Sequence, residues 1–131
     1  MEQTLIVIKP DGVQKKLVGT ILSRFEKRGF TIHSMKVFQF TKEQAEKFYL
    51  PHSEKKFFSS LVKFIISDKV VAVILEGSTA IKVVRRMIGS TKSDEAAPGT
   101  IRGDFSLNLT DNVIHASDSK ESFERESKII F

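Results

Sequence analysis

Apolar residues that recur at a period of two in some stretches and near 3.6 in others predict an α+β protein. The expected architecture is a four-stranded antiparallel sheet with helices over one face. Three observations lead to it. A β-branched run opens the chain at Thr4-Leu5-Ile6-Val7-Ile8. An unbroken apolar run, Val70-Val71-Ala72-Val73-Ile74-Leu75, lies past the middle. Between such runs stand apolar stripes at helical spacing, several of them closed by glycine or proline.

The first run is a strand. Leu17, Val18, Ile21, Leu22 and Phe25 then repeat at helical spacing, and Gly29 ends that helix. Phe30, Ile32 and Val37 mark a second strand over 30–40. Thr41, with Gln44 three residues on, can cap the next helix through reciprocal side-chain bonds, and Pro51 marks its end. Phe57, Phe58, Leu61, Val62 and Ile65 form another helical stripe. The 70–75 run reads as a strand buried on both faces. Thr79 begins a helix through Ile81, Val84 and Ile88, closed by Gly89. Residues 90–111 show little regular pattern, and segments of that length inside compact domains are usually functional or disordered. A short strand at Val113-Ile114 and a helix over Ser119–Ser127 follow, with Asp118 placed before Glu121 much like a capping box. The order is that of the split βαβ, ferredoxin-like plan (βαββαβ), which hosts many activities and assigns none.

At 131 residues the chain reads as one domain with room for a sizeable core. With 40% apolar and 28% charged residues, a soluble globular protein is expected. No apolar run approaches the ~20 residues of a membrane span, so no membrane partner is expected. Met1-Glu2-Gln3-Thr4 enters a strand directly, without the basic region and cleavage pattern of a secretory signal, and the expected location is cytoplasmic. The absence of cysteine removes disulfide and thiol chemistry. The net charge of +5 admits two readings. One is a solvated lysine-rich surface, to which Lys15-Lys16, Lys55-Lys56 and Lys42 with Lys47 belong. The other is attraction of polyanions such as nucleotides or nucleic acid.

The residue with the most chemistry is His115, in Asn112-Val113-Ile114-His115-Ala116-Ser117-Asp118-Ser119. A histidine between a buried strand and a helix cap is held stiffly, yet its ring can face a cleft. Imidazole has an ordinary pKa of about 6.5, so it can accept a transferable group and release it again. Taken alone, a histidine beside apolar residues is more often structural. Lys9 ends the first strand beside Pro10, where it can point into a cleft or simply snorkel at an edge. Arg85 and Arg102 carry guanidinium forks that can grip phosphate, although isolated surface arginines are usually just solvated. Glu126 lies in the helix after the histidine strand and can fold back to orient the ring, or it can be an ordinary exposed glutamate like Glu124. Phe57 and Phe58, about 100° apart on a helix, can face a cleft and the core respectively.

Several chemistries are excluded. No Walker or dinucleotide glycine loop occurs. His33 and His52 are too isolated to build a zinc site with His115. Arg102-Gly103-Asp104 spells an adhesion tripeptide without any sign of secretion. Val37-Phe38-Gln39-Phe40 lacks the pattern of an RNA-recognition sheet.

Three separated blocks add a resemblance. Asn112-x-x-His115-Ala116-Ser117-Asp118-Ser119 resembles the active-site signature of nucleoside diphosphate kinases. Ile8-Lys9-Pro10-Asp11-Gly12-Val13 resembles the family's first-strand motif, and Pro98-Gly99-Thr100-Ile101-Arg102-Gly103-Asp104-Phe105 its basic loop. The resemblance implies a single kinase domain over 1–131 that moves a γ-phosphate from a nucleoside triphosphate to a diphosphate. It implies a ping-pong mechanism through phosphohistidine at His115. Lys9 then contacts the transferred phosphate, with Tyr49 close to it and to the histidine. Phe57 stacks on the base and Leu61 is its apolar neighbour. Arg85, Thr91 and Arg102 bind phosphates, Asn112 meets the ribose hydroxyl, and Ser117 and Glu126 position the ring. Mg²⁺ is expected to arrive with the nucleotide, held by phosphates and water, with no protein metal cage.

Some positions depart from the family pattern. Ala116 replaces a common glycine, Lys92-Ser93 stands where many relatives have Asn-Pro, and Arg86 adds a cation beside Arg85. The sequence ends at Ile129-Ile130-Phe131 without the extension of many hexameric members. The family implies a homo-oligomer, hexameric or alternatively tetrameric. The competing reading is a basic nucleic-acid-binding or interaction module of the same fold, although nucleic acid is not the expected partner.

Overall fold

The computed structural model describes residues 1–108 and 111–131. Strand β1 (Glu2–Ile8) lies between β3 (Val70–Gly77) and β4 (Ile114–Ala116), and β2 (Thr31–Phe38) pairs with the far side of β3. Every pairing is antiparallel, and the strand order is β2-β3-β1-β4. This is the expected α+β, ferredoxin-like sheet. The register sets Val7 opposite both Ala72 and His115.

The helices do not lie on one face. Successive strand residues point to opposite sides of a sheet. Ile6, Ile8, Val71, Val73 and Leu75 pack with Ile21 and Phe25 of α2 (Val18–Arg28) and Val84 and Ile88 of α5 (Ala80–Ile88). Leu5, Val7, Val70, Ala72 and Ile74 pack on the other side with three helices. These are α3 (Lys42–Phe48), α4 (Phe58–Ile65) and α7 (Lys120–Ile130), contributing Ala45, Phe48, Val62, Ile65 and Ile130. The reason is legible in β1 and β3. Both are apolar at consecutive positions, so both sheet faces must be covered to keep those side chains from water.

Local signals explain most boundaries. Gly29 ends α2 at φ 112, a conformation glycine adopts without steric cost. Thr41 and Gln44 form the expected capping box. Thr79 differs from expectation: it takes φ 52 and caps nothing with its side chain. Glu2 does that work across the sheet, its carboxylate accepting from Ile81 N at 2.8 Å. The cap of α7 is Ser119, whose hydroxyl accepts from Ser122 N, while Asp118 instead accepts from Ser122 Oγ.

Two short helices were not expected. One is α1 (Pro10–Gln14), with proline in its first turn. The other is α6 (Ile101–Phe105), capped by Thr100, whose hydroxyl accepts from Gly103 N. The latter sits within the long 90–111 segment, of which positions 109–110 lie outside the described residues. The described part of that segment around α6 is tied to α2. Arg24 pairs with Asp104 at 2.7 Å and donates to Gly99 O. Arg102 is only 3% exposed, so the Arg-Gly-Asp tripeptide is not displayed as a surface loop. No described helix is long and apolar enough to cross a membrane.

Candidate active site

The β1–β4 pairing brings the two ends of the sequence together. His115 lies opposite Val7, on the sheet face covered by α3, α4 and α7. Its ring meets Phe48 of α3 edge-on, centroids 4.8 Å apart. Nε2 lies 2.9 Å from Glu126 Oε1, and Ser117 Oγ donates to that same oxygen at 2.7 Å. Arg125 stands 3.5 Å from the other oxygen, Oε2. Glu126 is therefore no exposed helix residue: it is buried one turn before the end of α7. Burial pushes its carboxyl up, but the His115 charge and the bonds from His115 and Ser117 hold it below the usual carboxylate range. With Nε2 turned to Glu126, Nδ1 is the ring nitrogen available to a substrate.

Lys9 follows β1 directly, and its backbone N–H donates to Val113 O at 2.8 Å. Its ammonium is buried and donates to Asn112 Oδ1 at 2.8 Å, while Asn112 Nδ2 donates to Thr91 O. Burial, and then the Arg102 charge, pull Lys9 down to about 7. Arg102 donates to Gly89 O at 3.2 Å and to Ile114 O at 2.6 Å, and burial with the nearby Arg85 charge lowers it to about 10. Arg85, in the last turn of α5, donates to Ala116 O at 3.1 Å. The backbone of the histidine strand is thus gripped by both arginines.

The expected base platform stands apart from this charged group. Phe57, the residue before α4, is 42% exposed, enough to receive a flat ligand. A row of rings links it to the histidine: Phe57 to His52 at 6.0 Å, His52 to Tyr49 at 6.3 Å, Tyr49 to Phe48 at 5.1 Å, then His115. Tyr49 is buried with no partner for its hydroxyl among the described residues, and burial raises its pKa. Leu61 lies one turn after Phe57, partly buried against the same core as Phe48. Phe58 packs into that core too, so the adjacent phenylalanines divide as expected. Thr91 enters only through its backbone carbonyl; its side chain is exposed.

Three contributors escaped the sequence reading: Phe48, His52 and Arg125. Phe48 and Arg125 each adjoin an expected residue, which is a usable signal. His52 was set aside as isolated, yet it joins Tyr49 to Phe57.

A family model described as nucleoside diphosphate kinase matches residues 2–131. The nucleoside diphosphate kinase of Staphylothermus marinus is 55% identical over 130 residues, covering 99% of this chain and 92% of that protein. That of Methanocaldococcus jannaschii is 52% identical, covering 99% and 93%. Among solved structures, a halophilic nucleoside diphosphate kinase from Halobacterium salinarum in complex with CDP superposes with a TM-score of 0.96 at 42% identity, covering 99% and 87%. The Aquifex aeolicus nucleoside diphosphate kinase gives a TM-score of 0.95 at 48% identity, covering 99% and 94%.

Proposed function

This chain belongs to the nucleoside diphosphate kinase family, and from that premise we propose that His115 is its phosphoryl carrier. Its reaction is transfer of the γ-phosphate from a nucleoside triphosphate to a nucleoside diphosphate. The observation that carries the assignment is the Ser117–Glu126–His115 arrangement, which engages Nε2 and leaves Nδ1 for the substrate. The Nδ1 lone pair forms the N–P bond as the bond from γ-phosphorus to the bridging oxygen breaks. The diphosphate departs with that electron pair. Nε2 keeps its proton, and the Glu126 carboxylate offsets the positive charge that grows on the ring. A second diphosphate takes the phosphoryl group back along the same path, so residues 1–131 act as a single domain with one site for both halves.

Lys9, Arg102 and Arg85 balance charge on the phosphates, the exposed Thr91 hydroxyl donates to them, and Asn112 meets the ribose hydroxyl. Tyr49 lines the site between Lys9 and His115. Phe57 stacks on the base with Leu61 beside it. The divalent cation is Mg²⁺ carried on the nucleotide phosphates; no three of the described His, Asp and Glu side chains could hold a metal ion. When bound, the cation neutralises charge that develops on the phosphates. A basic nucleic-acid-binding role gains nothing from this geometry, because Lys9 and Arg102 are buried beside the histidine. The enzyme works in the cytoplasm. The direct test is incubation with γ-labelled ATP and Mg²⁺ followed by a different diphosphate. Label should move to the protein and then to the new triphosphate; transfer without a labelled protein would reject the ping-pong scheme.

Phe57→Ala should weaken nucleotide binding by about 1–3 kcal/mol, the worth of one stacked base, and alike for purines and pyrimidines. Fluorescence titration with several diphosphates checks it. A loss confined to one base would mean that hydrogen bonds read the base.

Lys9 gives binding a pH signature. Held at about 7, it loses its proton as pH rises through neutrality. Phosphate anions favour the ammonium, so the bound state restores that proton. Nucleotide binding should therefore take up close to one proton at pH 8 and much less at pH 6. Calorimetry in buffers of different ionisation enthalpy measures this, and the pH 8 uptake should vanish in Lys9→Met. Equal uptake in that variant would place Lys9 away from the phosphates.

The protein assembles into a homo-oligomer, a hexamer or a tetramer. β2 is an edge strand with Met35 53% and Val37 62% exposed, and Leu107 is 80% exposed. A bare edge and apolar side chains of this kind are normally covered by another chain. Light scattering should give a multimer at micromolar concentration; a fully active monomer contradicts it.

A further inference from the structure

Two residues before His115, Val113 adopts φ 74, a region that β-branched residues avoid. Around it Ile114 N donates to Asn112 O at 2.8 Å, closing a three-residue γ-turn of the rare positive-φ kind. Both polar groups of Val113 are held by one short segment. Its N–H donates to Asp11 Oδ2 at 3.0 Å, and its carbonyl accepts from Lys9 N at 2.8 Å. Gly12 seals the contact: a Cβ there would meet Ile8 Cγ2 at 2.8 Å, Val113 O at 3.0 Å and Val113 Cγ1 at 3.2 Å. Val113 is fully buried and Asp11 is 7% exposed. Asp11 Oδ1 has no hydrogen-bond partner among the described residues, so the Val113 amide is the bond its carboxylate makes. Burial raises that carboxyl, with Lys9 opposing.

Strained backbone persists only where its surroundings over-determine it. Relaxation of φ at Val113 would rotate the peptide planes on either side. Asn112, bonded to Lys9 Nζ, lies on one side; Ile114, which accepts from Arg102, and then His115 lie on the other. We propose that Asp11 is a positioning residue whose carboxylate holds the Val113 γ-turn and thereby aligns His115 for phosphoryl transfer. The proposal rests on His115 being the phosphoryl carrier. Asp11 touches no reacting atom. It acts through the backbone that carries the nucleophile, so its effect falls on the transfer rate more than on nucleotide affinity.

The test is single-turnover labelling of His115 by γ-labelled ATP, with ADP affinity measured alongside. Both are read at pH 6.5. The Asp11 charge raises Lys9, so its loss affects that ammonium alike in Asp11→Asn and Asp11→Leu, and the comparison of those two variants isolates the acceptor oxygen. Asp11→Asn keeps an acceptor oxygen and should label within about threefold of the parent protein. Asp11→Leu removes it and should label at least tenfold more slowly, with ADP affinity within threefold. Adding Val113→Gly to Asp11→Leu should recover part of the lost rate, because glycine holds positive φ without strain. Gly12→Ala, pressing on the Val113 carbonyl with Asp11 intact, should slow labelling too, and it serves if Asp11→Leu does not fold. Unchanged labelling in Asp11→Leu or, failing that variant, in Gly12→Ala overturns the proposal. So does an equal loss in Asp11→Asn, or no recovery with Val113→Gly. Failure of the parent protein to label at His115 would instead reject the carrier assignment.

Discussion

His115→Ala should abolish phosphoryl transfer, with kcat down by at least about four orders of magnitude, because the proposed carrier of the phosphoryl group is gone. Nucleotide binding should survive, since Phe57, Lys9 and Arg102 are independent of the ring. The fold should survive as well. Glu126 keeps Ser117 at 2.7 Å and Arg125 at 3.5 Å when the imidazole is gone, so its buried carboxylate is not left unpartnered. His115→Gln, which can still donate to Glu126, serves as the control for packing. The label on the parent protein should be acid-labile and base-stable, as a phosphoramidate is. Label retained by the alanine variant would move the carrier elsewhere in the chain.

The arginines should separate into two kinds of loss. With the phosphates where we propose them, Arg102→Gln and Arg85→Gln each remove positive charge facing them, and each should cost on the order of 2–4 kcal/mol in kcat/KM. Stability should distinguish them. Arg102 is 3% exposed and satisfies the carbonyls of Gly89 and Ile114, so its loss strands the buried Ile114 acceptor at about 1–3 kcal/mol and frees the half-buried Gly89 carbonyl. Arg85 is only partly buried and bonds one carbonyl, that of Ala116. Thermal melts should therefore show a marked drop for Arg102→Gln and a small one for Arg85→Gln. Near-normal kcat/KM in both would put the phosphate site on the wrong elements. Equal destabilisation would mean that Arg85 anchors the histidine strand as firmly as Arg102 does.

That contrast marks where sequence reading stopped. Motif resemblance implies phosphate binding for both arginines, and charge alone does not tell them apart. Arg102 is a structural tie as well, because α6 inserts it between the end of α5 and the histidine strand. Glu126 is similar. Its spacing in the final helix allowed a fold-back, but an exposed glutamate has the same sequence, and only the packing of α7 on β1 buries it. The cap of α7 went to Ser119 over Asp118 because both fit the local pattern and the chain's approach angle selects between them. The helices predicted for one face divide between two, although the unbroken apolar runs of β1 and β3 already required cover on both.

Short-range chemistry is written directly in the chain: the strand and helix periods, the glycine stop at Gly29, the Thr41–Gln44 box, and the histidine octapeptide. Each depends on neighbours within a few residues, so the local sequence contains all the forces involved. The Lys9–Asn112 bond spans 103 positions, and the Asp11 hold on Val113 spans 102. Neither is encoded in any local window. Both arise because β1 pairs with β4, and that pairing is favoured only once helices on each side of the sheet bury its two apolar faces together.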